Sequence, residues 1–369
     1  MRDDNFNFLR YYAAIGVLVG HTSNHMGIAA FGYDPEDQLL PFYHLGVPFF
    51  FLITGFFIYS SYKRTIDRNE AFSSFMFNRI LRTAPSIYFY VVVAIVVLLL
   101  IGAINFSYFL EPTFYAWIAS HIFLIPVYHP SIFEHIGIGV LNGSLWTIPA
   151  QITFYLVLPL IFFIEKKHGF RIMIVSIFLA AVIFKVGSWY FQSYQEEPLW
   201  VKFYEITFMP QFVFFSLGIF WAKNWSKAPK NLYVFSLSLL MIFVLKSDIL
   251  NLYSIFGELT DLLWAFPFSY AAIWFGYEGF KFFRIFGKFE DLGMGIYIWH
   301  MLIVNVFLYV GLKEVEIFNT PLMHITIIAV TVIMSYASRV LIEKPTLKYK
   351  KKRELKNLKT LQKYNNLTP

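Results

Sequence analysis

Apolar runs of seventeen or more residues recur along the whole sequence, for example over 87–104 and 171–190, and each is long enough to cross the hydrocarbon core of a bilayer as a helix. Charged residues are only 14% of the 369 and hydrophobic residues 58%, whereas soluble domains are about 25% charged. No soluble core absorbs that much apolar surface, so the runs read as membrane helices rather than as buried core helices. An aromatic share of 21% suits lipid-facing surfaces and interfacial belts.

Reading apolar runs against their breaks places spans near 8–30, 43–62, 84–104, 146–165, 171–190, 203–222, 231–247, 262–277, 292–311 and 322–342. The segment 114–127 is shorter, holds His121 and Pro126, and reads as re-entrant or interfacial. With the N-terminus inside, 26 of the 30 lysines and arginines fall on the cytoplasmic side, and only Lys202, Lys246 and Lys313 fall outside. Lys185 lies within a span. That asymmetry is what the positive-inside rule expects, and counting 114–127 as a full span spoils it for every later loop. The predicted fold is therefore an all-α polytopic membrane protein of about ten transmembrane helices, with N- and C-termini cytoplasmic. A transmembrane domain over 1–345 is followed by a basic cytoplasmic tail over 346–369, too short and too charged to fold alone. Its run 348–353 reads as an orientation signal held at anionic lipid, or as a partner-binding tail.

The net charge of +7 follows this topology and does not point to nucleic acid. Cysteine is absent, which excludes disulfides, thiolate metal sites and a cysteine acyl-enzyme. Arg2, Asp3, Asp4 and Arg10 precede an apolar stretch without a small-residue cleavage site, so the first segment reads as a retained helix.

Ionisable groups within a bilayer each ask for a partner or a function. Arg10 opens the first span and His21 follows eleven positions later, on nearly the same helix face and about 16 Å further along the axis. A neutral imidazole at that depth is the form a general base needs; the plainer reading is a packed histidine. His25, one turn beyond, raises a two-histidine metal site, but no Asp or Glu accompanies the pair in that helix, so no metal is expected. Arg79 and Arg82, three apart, join Arg10 on the inner side as a clamp for a phosphate-bearing ligand, or serve as positive-inside anchors. His300 sits mid-depth in Gly-Met-Gly-Ile-Tyr-Ile-Trp-His, where two glycines allow close approach to a neighbouring helix; it contacts substrate or is merely packed. Glu343 ends the last span, either as an acidic partner for the arginines or in local pairing.

Together these stretches resemble the acyltransferase-3 family, the membrane O-acyltransferases that decorate surface polysaccharides. Leu9-Arg10 through Gly20-His21 is similar to the family's first-helix signature. Residues 46–56 resemble its second-helix motif, with Thr54 where a serine is usual. Phe77-Asn78-Arg79-Ile80-Leu81-Arg82 with Pro85 and Tyr88 resembles the paired-arginine motif. Ser144-Leu145-Trp146-Thr147-Ile148-Pro149 with Phe154-Tyr155 and Pro159 resembles another block, but Gln151 stands where the family usually has glutamate. That exchange removes a carboxylate and keeps a hydrogen-bonding group of like shape. Tyr297-Ile298-Trp299-His300 and Leu341-Ile342-Glu343-Lys344-Pro345 are also similar to family blocks, in the family's order.

The resemblance implies an acyl-CoA donor, usually acetyl-CoA, at the cytoplasmic face, and an acceptor hydroxyl on a surface or lipid-linked saccharide. It implies that Arg10, Arg79 and Arg82 hold the CoA phosphates, that His21 deprotonates the hydroxyl, and that Trp146, Gln151, His300 and Glu343 contact substrate or support the site. Some family members carry a soluble esterase-like domain after the last helix; this sequence runs 26 residues past Glu343, so the acceptor is expected to reach the membrane pocket itself or to be served by another protein. With no cysteine and no Gly-x-Ser-x-Gly elbow, direct transfer is expected. The competing class is a transporter or flippase of lipid-linked saccharides, although no inverted halves stand out. A catalytically dead membrane sensor draws support only from Gln151.

Overall fold

The structure is a computed structural model that describes residues 4–29, 45–191, 198–247 and 250–349; the basic tail from 350 onward lies outside the described residues. Among the described residues every regular element is helical. Apolar sequence leaves the backbone no water to bond with, and a helix satisfies each peptide group locally. The helices are α1 (Phe6–Met26), α2 (Gly46–Asp67), α3 (Phe72–Leu100), α4 (Pro112–Ile122), α5 (Thr147–His168), α6 (Phe170–Phe191), α7 (Leu199–Glu205), α8 (Phe212–Asn224), α9 (Leu232–Lys246), α10 (Leu252–Phe256), α11 (Asp261–Glu278), α12 (Gly293–Tyr309) and α13 (Leu322–Ser338). Local signals set several ends. Gly27 closes α1 in the left-handed conformation, at φ 62°, and the Asn231 side chain caps α9 by accepting from the Val234 N–H at 2.9 Å.

Each expected span coincides with a helix, with three corrections. The span placed at 203–222 is divided between α7 and α8. The third begins at Phe72 rather than near 84, runs through Pro85, and at 29 residues is about 43 Å long, so Arg79 and Arg82 ride on a continuous rod. By length and composition four helices among the described residues suffice to cross a membrane: Phe72–Leu100, Gly143–His168, Phe170–Phe191 and Leu322–Tyr349. A fifth results if Lys281–Lys288 and Gly293–Tyr309, bent by 75° at their junction, count as one span. The other helices are shorter or more polar. A helix enclosed by its neighbours can keep groups such as Thr22 and Ser23, both fully buried, that lipid would reject. The segment 114–127 contributes the eleven-residue α4, about 16 Å long, which buries Phe114, Trp117 and His121.

Two apolar clusters form the interior. One gathers α2, α5, α6, α8, α9 and α11; the other gathers α1, α3, α4, α12 and α13 with the connection before α5. Within the first, α2 and α8 touch backbone to backbone. A Cβ at Gly55 would lie 2.1 Å from the Phe215 carbonyl oxygen, and one at Gly218 would lie 2.2 Å from that of Leu52. Within the second, the glycines of the α12 motif do admit neighbours: a Cβ at Gly293 would lie 3.3 Å from the Arg10 carbonyl oxygen, and one at Gly295 would lie 2.8 Å from Ser335. Lys185 of α6, fully buried, has partners as its position demands, with Nζ 2.8 Å from Glu258 and 2.5 Å from Asp261.

Gly218→Ala places a methyl inside a backbone contact that no rotamer change relieves. Its expected result is a clear loss of folded protein in detergent extracts and a lower apparent melting temperature, read by size exclusion and thermal scanning, while Gly187→Ala, whose methyl would meet only the side chains of Tyr204 and Phe191 at 3.5–3.9 Å, gives far less loss.

Candidate active site

The site is assembled by a connection that buries its polar groups against α12. Asn305 of α12, fully buried, donates to the Val140 and Leu141 carbonyls at 3.0 and 3.1 Å, and its Oδ1 accepts from the Ile138 N–H at 2.8 Å. Asn142 donates to the Ile298 carbonyl at 2.8 Å. These bonds bring the turn Gly143–Trp146 against Tyr297, whose hydroxyl donates to the Ser144 carbonyl at 2.8 Å and accepts from Thr147 at 3.2 Å.

Tyr297 and Thr147 thereby stand on the wall of a cavity of about 630 Å³ at the seam of the two clusters, within the size range of small-molecule sites. Arg10 of α1, Arg64 of α2 and Arg79 and Arg82 of α3 share that wall with Thr54, Gln151, Tyr155 and Asp291. The three arginines picked out in the sequence are thus brought together, and Arg64 adds a fourth. Asp291, just before α12, is their acidic neighbour: its Oδ2 lies 3.4 Å from Arg10 Nη1 and 3.9 Å from Arg82 Nη2. Arg10 also donates to Asn7 at 2.9 Å and sits over the Phe57 ring at 5.4 Å. Arg79 donates to the Ser61 hydroxyl and lies 5.1 Å from the Phe75 ring centroid. Gln151 donates to Thr54 at 3.4 Å, so the two positions that depart from the family pattern face each other on the cavity wall.

Glu343 does not pair with these arginines. It takes the local alternative, accepting from Arg339 four residues earlier at 2.9 Å, although it shares a smaller cavity of about 240 Å³ with Arg79, Arg82 and Asp291. Arg339 and Lys344 also reach Glu290, at 3.2 and 2.7 Å; the Lys344 hydrogen bond above all, then that of Arg339, holds the Glu290 carboxyl below the usual glutamate range. Trp146 lies away from the large cavity, lining another of about 320 Å³ with Tyr204, Gln211 and Glu258, its ring 6.1 Å from that of Phe51.

His21 and His300 are not on the wall of the large cavity. They meet each other instead: His21 Nδ1 lies 2.9 Å from His300 Nε2, and the His300 ring is 5.8 Å from that of Tyr297, which does line it. His300 is fully buried and its Nδ1 is 3.2 Å from the Ile296 carbonyl oxygen; His21 is partly exposed, with the His25 ring 5.7 Å away.

A profile of the acyltransferase domain matches residues 3–340, nearly the whole chain. The chain belongs to the acyltransferase-3 family. Nodulation protein 10 of Rhizobium leguminosarum bv. viciae is 30% identical over 236 residues, which cover 62% of this acyltransferase-3 chain and 61% of that relative's length. No solved structure matches.

Sequence reasoning missed Asp291, Arg64 and Tyr297 as parts of this acyltransferase-3 cavity. Asp291 carried a signal, as an acid three residues past the basic segment Lys281–Lys288. Tyr297 carried one as the first residue of the family-like block Tyr297-Ile298-Trp299-His300, whereas Arg64 carried none beyond its basic charge, because its place on the wall depends on helix packing.

Asn305→Leu strands the Val140 and Leu141 carbonyls and the Ile138 N–H. At about 1–3 kcal/mol for each orphaned group, the expected result is a fall of several degrees in apparent melting temperature, followed by tryptophan fluorescence.

Proposed function

We propose that the protein is a membrane O-acyltransferase that moves an acyl group, acetyl in the simplest case, from acyl-CoA to a hydroxyl of a cell-surface or lipid-linked saccharide. The observation that carries this reading is the convergence of Arg10, Arg64, Arg79 and Arg82 from three helices on one cavity whose wall reaches Tyr297, one turn from His300 and its partner His21. Guanidinium groups bind phosphate oxygens in forked pairs, and CoA offers phosphates at one end of a narrow arm and the thioester at the other. With the phosphates at the arginines, that arm leads the thioester toward the histidine pair. His21 takes the proton from the acceptor hydroxyl as its oxygen attacks the thioester carbonyl. The new C–O bond forms, the C–S bond breaks, and the proton passes to the departing CoA sulfur.

Ten spans with both termini cytoplasmic put the arginine cavity on the donor side of the inner membrane. The ends that this topology places inside do meet: Lys223 at the end of α8 pairs with Glu165 near the end of α5 at 2.6 Å, and Lys230 pairs with Glu278 at 3.3 Å. Because the chain has no native cysteine, single cysteines report sidedness directly. Lys167→Cys is expected to resist a membrane-impermeant maleimide in intact cells and Lys313→Cys to react; the opposite pattern reverses the proposed orientation.

Purified protein in nanodiscs with labelled acetyl-CoA and extracted glycolipid acceptors tests the activity. His21→Ala is expected to lower kcat by about 10²–10⁴, the usual worth of a general base, with acetyl-CoA affinity kept. Arg79→Ala is expected to raise the KM for acetyl-CoA by about tenfold or more, the loss of one charge-assisted bond. Acceptor-dependent turnover that survives His21→Ala would sink the base assignment, and mass spectrometry of surface glycans with and without the gene identifies acyl group and acceptor together.

A further inference from the structure

The histidine pair fixes more than proximity. His300 Nδ1 lies 3.2 Å from the carbonyl oxygen of Ile296, one turn back on α12. A carbonyl oxygen only accepts, so Nδ1 of His300 carries hydrogen, and in a neutral imidazole the other nitrogen then presents a lone pair. That lone pair, on Nε2, stands 2.9 Å from His21 Nδ1. His21 Nδ1 must therefore be the donor, which leaves the lone pair of His21 on Nε2. We infer that His300 is a positioning residue that holds His21 in the Nδ1–H tautomer, so that Nε2 of His21 is the atom that takes the acceptor's proton.

The inference rests on the reading of His21 as general base and adds which of its nitrogens acts. The arrangement suits a base that must be charged and discharged in each cycle. When Nε2 gains a proton, Nδ1 still donates to His300, and no hydrogen bond changes direction. His300 is well placed to hold that geometry, being fully buried on the helix whose glycines admit α1 on one side and α13 on the other. Among the described residues the other titratable rings beside the pair are His25 on α1, 5.7 Å from His21, and Tyr297 on α12, whose hydroxyl is already engaged with Ser144 and Thr147. His324 of α13 is turned to Ser23 at 2.9 Å.

Two readouts test this on the full chain in nanodiscs. The first is the ring ¹⁵N spectrum of histidine-labelled protein, with the His21 signals assigned by their loss in His21→Ala. The wild type is expected to show His21 as the Nδ1–H tautomer, and His300→Leu to show it mixed or shifted to Nε2–H. The second is steady-state kinetics. His300→Leu is expected to lower kcat by about ten- to a hundredfold with the KM for acetyl-CoA unchanged, because general-base catalysis is worth about 10²–10⁴ and a misplaced tautomer forfeits part of it. His300→Gln, whose amide oxygen reaches the place of Nε2, is expected to restore most of the rate and the Nδ1–H signal. His300→Asn, which reaches only the place of Nδ1, is not. A wild-type His21 in the Nε2–H form overturns the inference, as does equal kcat in the Gln and Asn variants at matched folded fraction. The spectrum reports the tautomer whether or not turnover is found, whereas turnover that survives His21→Ala removes the base assignment and leaves the spectral result intact.

Discussion

A polar side chain inside an apolar helix bundle has no water to turn to, so its partner must come from another element, and the bundle is ordered by where those partners are. Asn305 is the fullest case. One amide satisfies three backbone groups of the irregular stretch 138–141, and so decides where the following turn and Thr147 stand against Tyr297. Lys185 does the same between α6 and the start of α11, and His21 with His300 does it between α1 and α12. An unpaired polar group in hydrocarbon is costly enough that each such pair selects one arrangement of its helices over sliding alternatives.

Much of this was legible in the sequence. The apolar runs located the helices because a long apolar stretch must satisfy its own backbone, although four of the described helices are long and apolar enough to cross a bilayer. The motif glycines at 293 and 295 correctly announced close neighbours, since their lack of a side chain has that physical meaning. The grouping of Arg10, Arg79 and Arg82 on one side followed from direction of travel alone. What direction could not supply was the partner. Glu343 and Asp291 are both acids at helix ends, and the choice of Asp291 for Arg10 and Arg82 turns on the rotation of α12 and α13 about their axes. Likewise the span expected at 203–222 is broken at 206–211, in a stretch whose hydropathy hides the interruption.

The division of labour within the site also depends on packing. The large cavity holds the cations and the Thr54–Gln151 pair, while the histidines sit behind Tyr297, off its wall. In the proposed reaction, binding of a charged donor and handling of a proton would thereby be kept in separate surroundings. Four guanidinium groups facing the histidines directly would oppose a second positive charge there.

The crossing of α2 and α8 has one more consequence. Because Gly55 and Gly218 bring main chain against main chain, neither position can take a larger residue without parting the two helices. Thr54 is the residue next to Gly55, so its backbone is held on the cavity wall by that contact, and its hydroxyl accepts from Gln151. Anyone wishing to reshape the cavity for a bulkier ligand can vary Thr54, Gln151 or Tyr155 as interchangeable tooling on a fixed jig, and should leave the jig untouched.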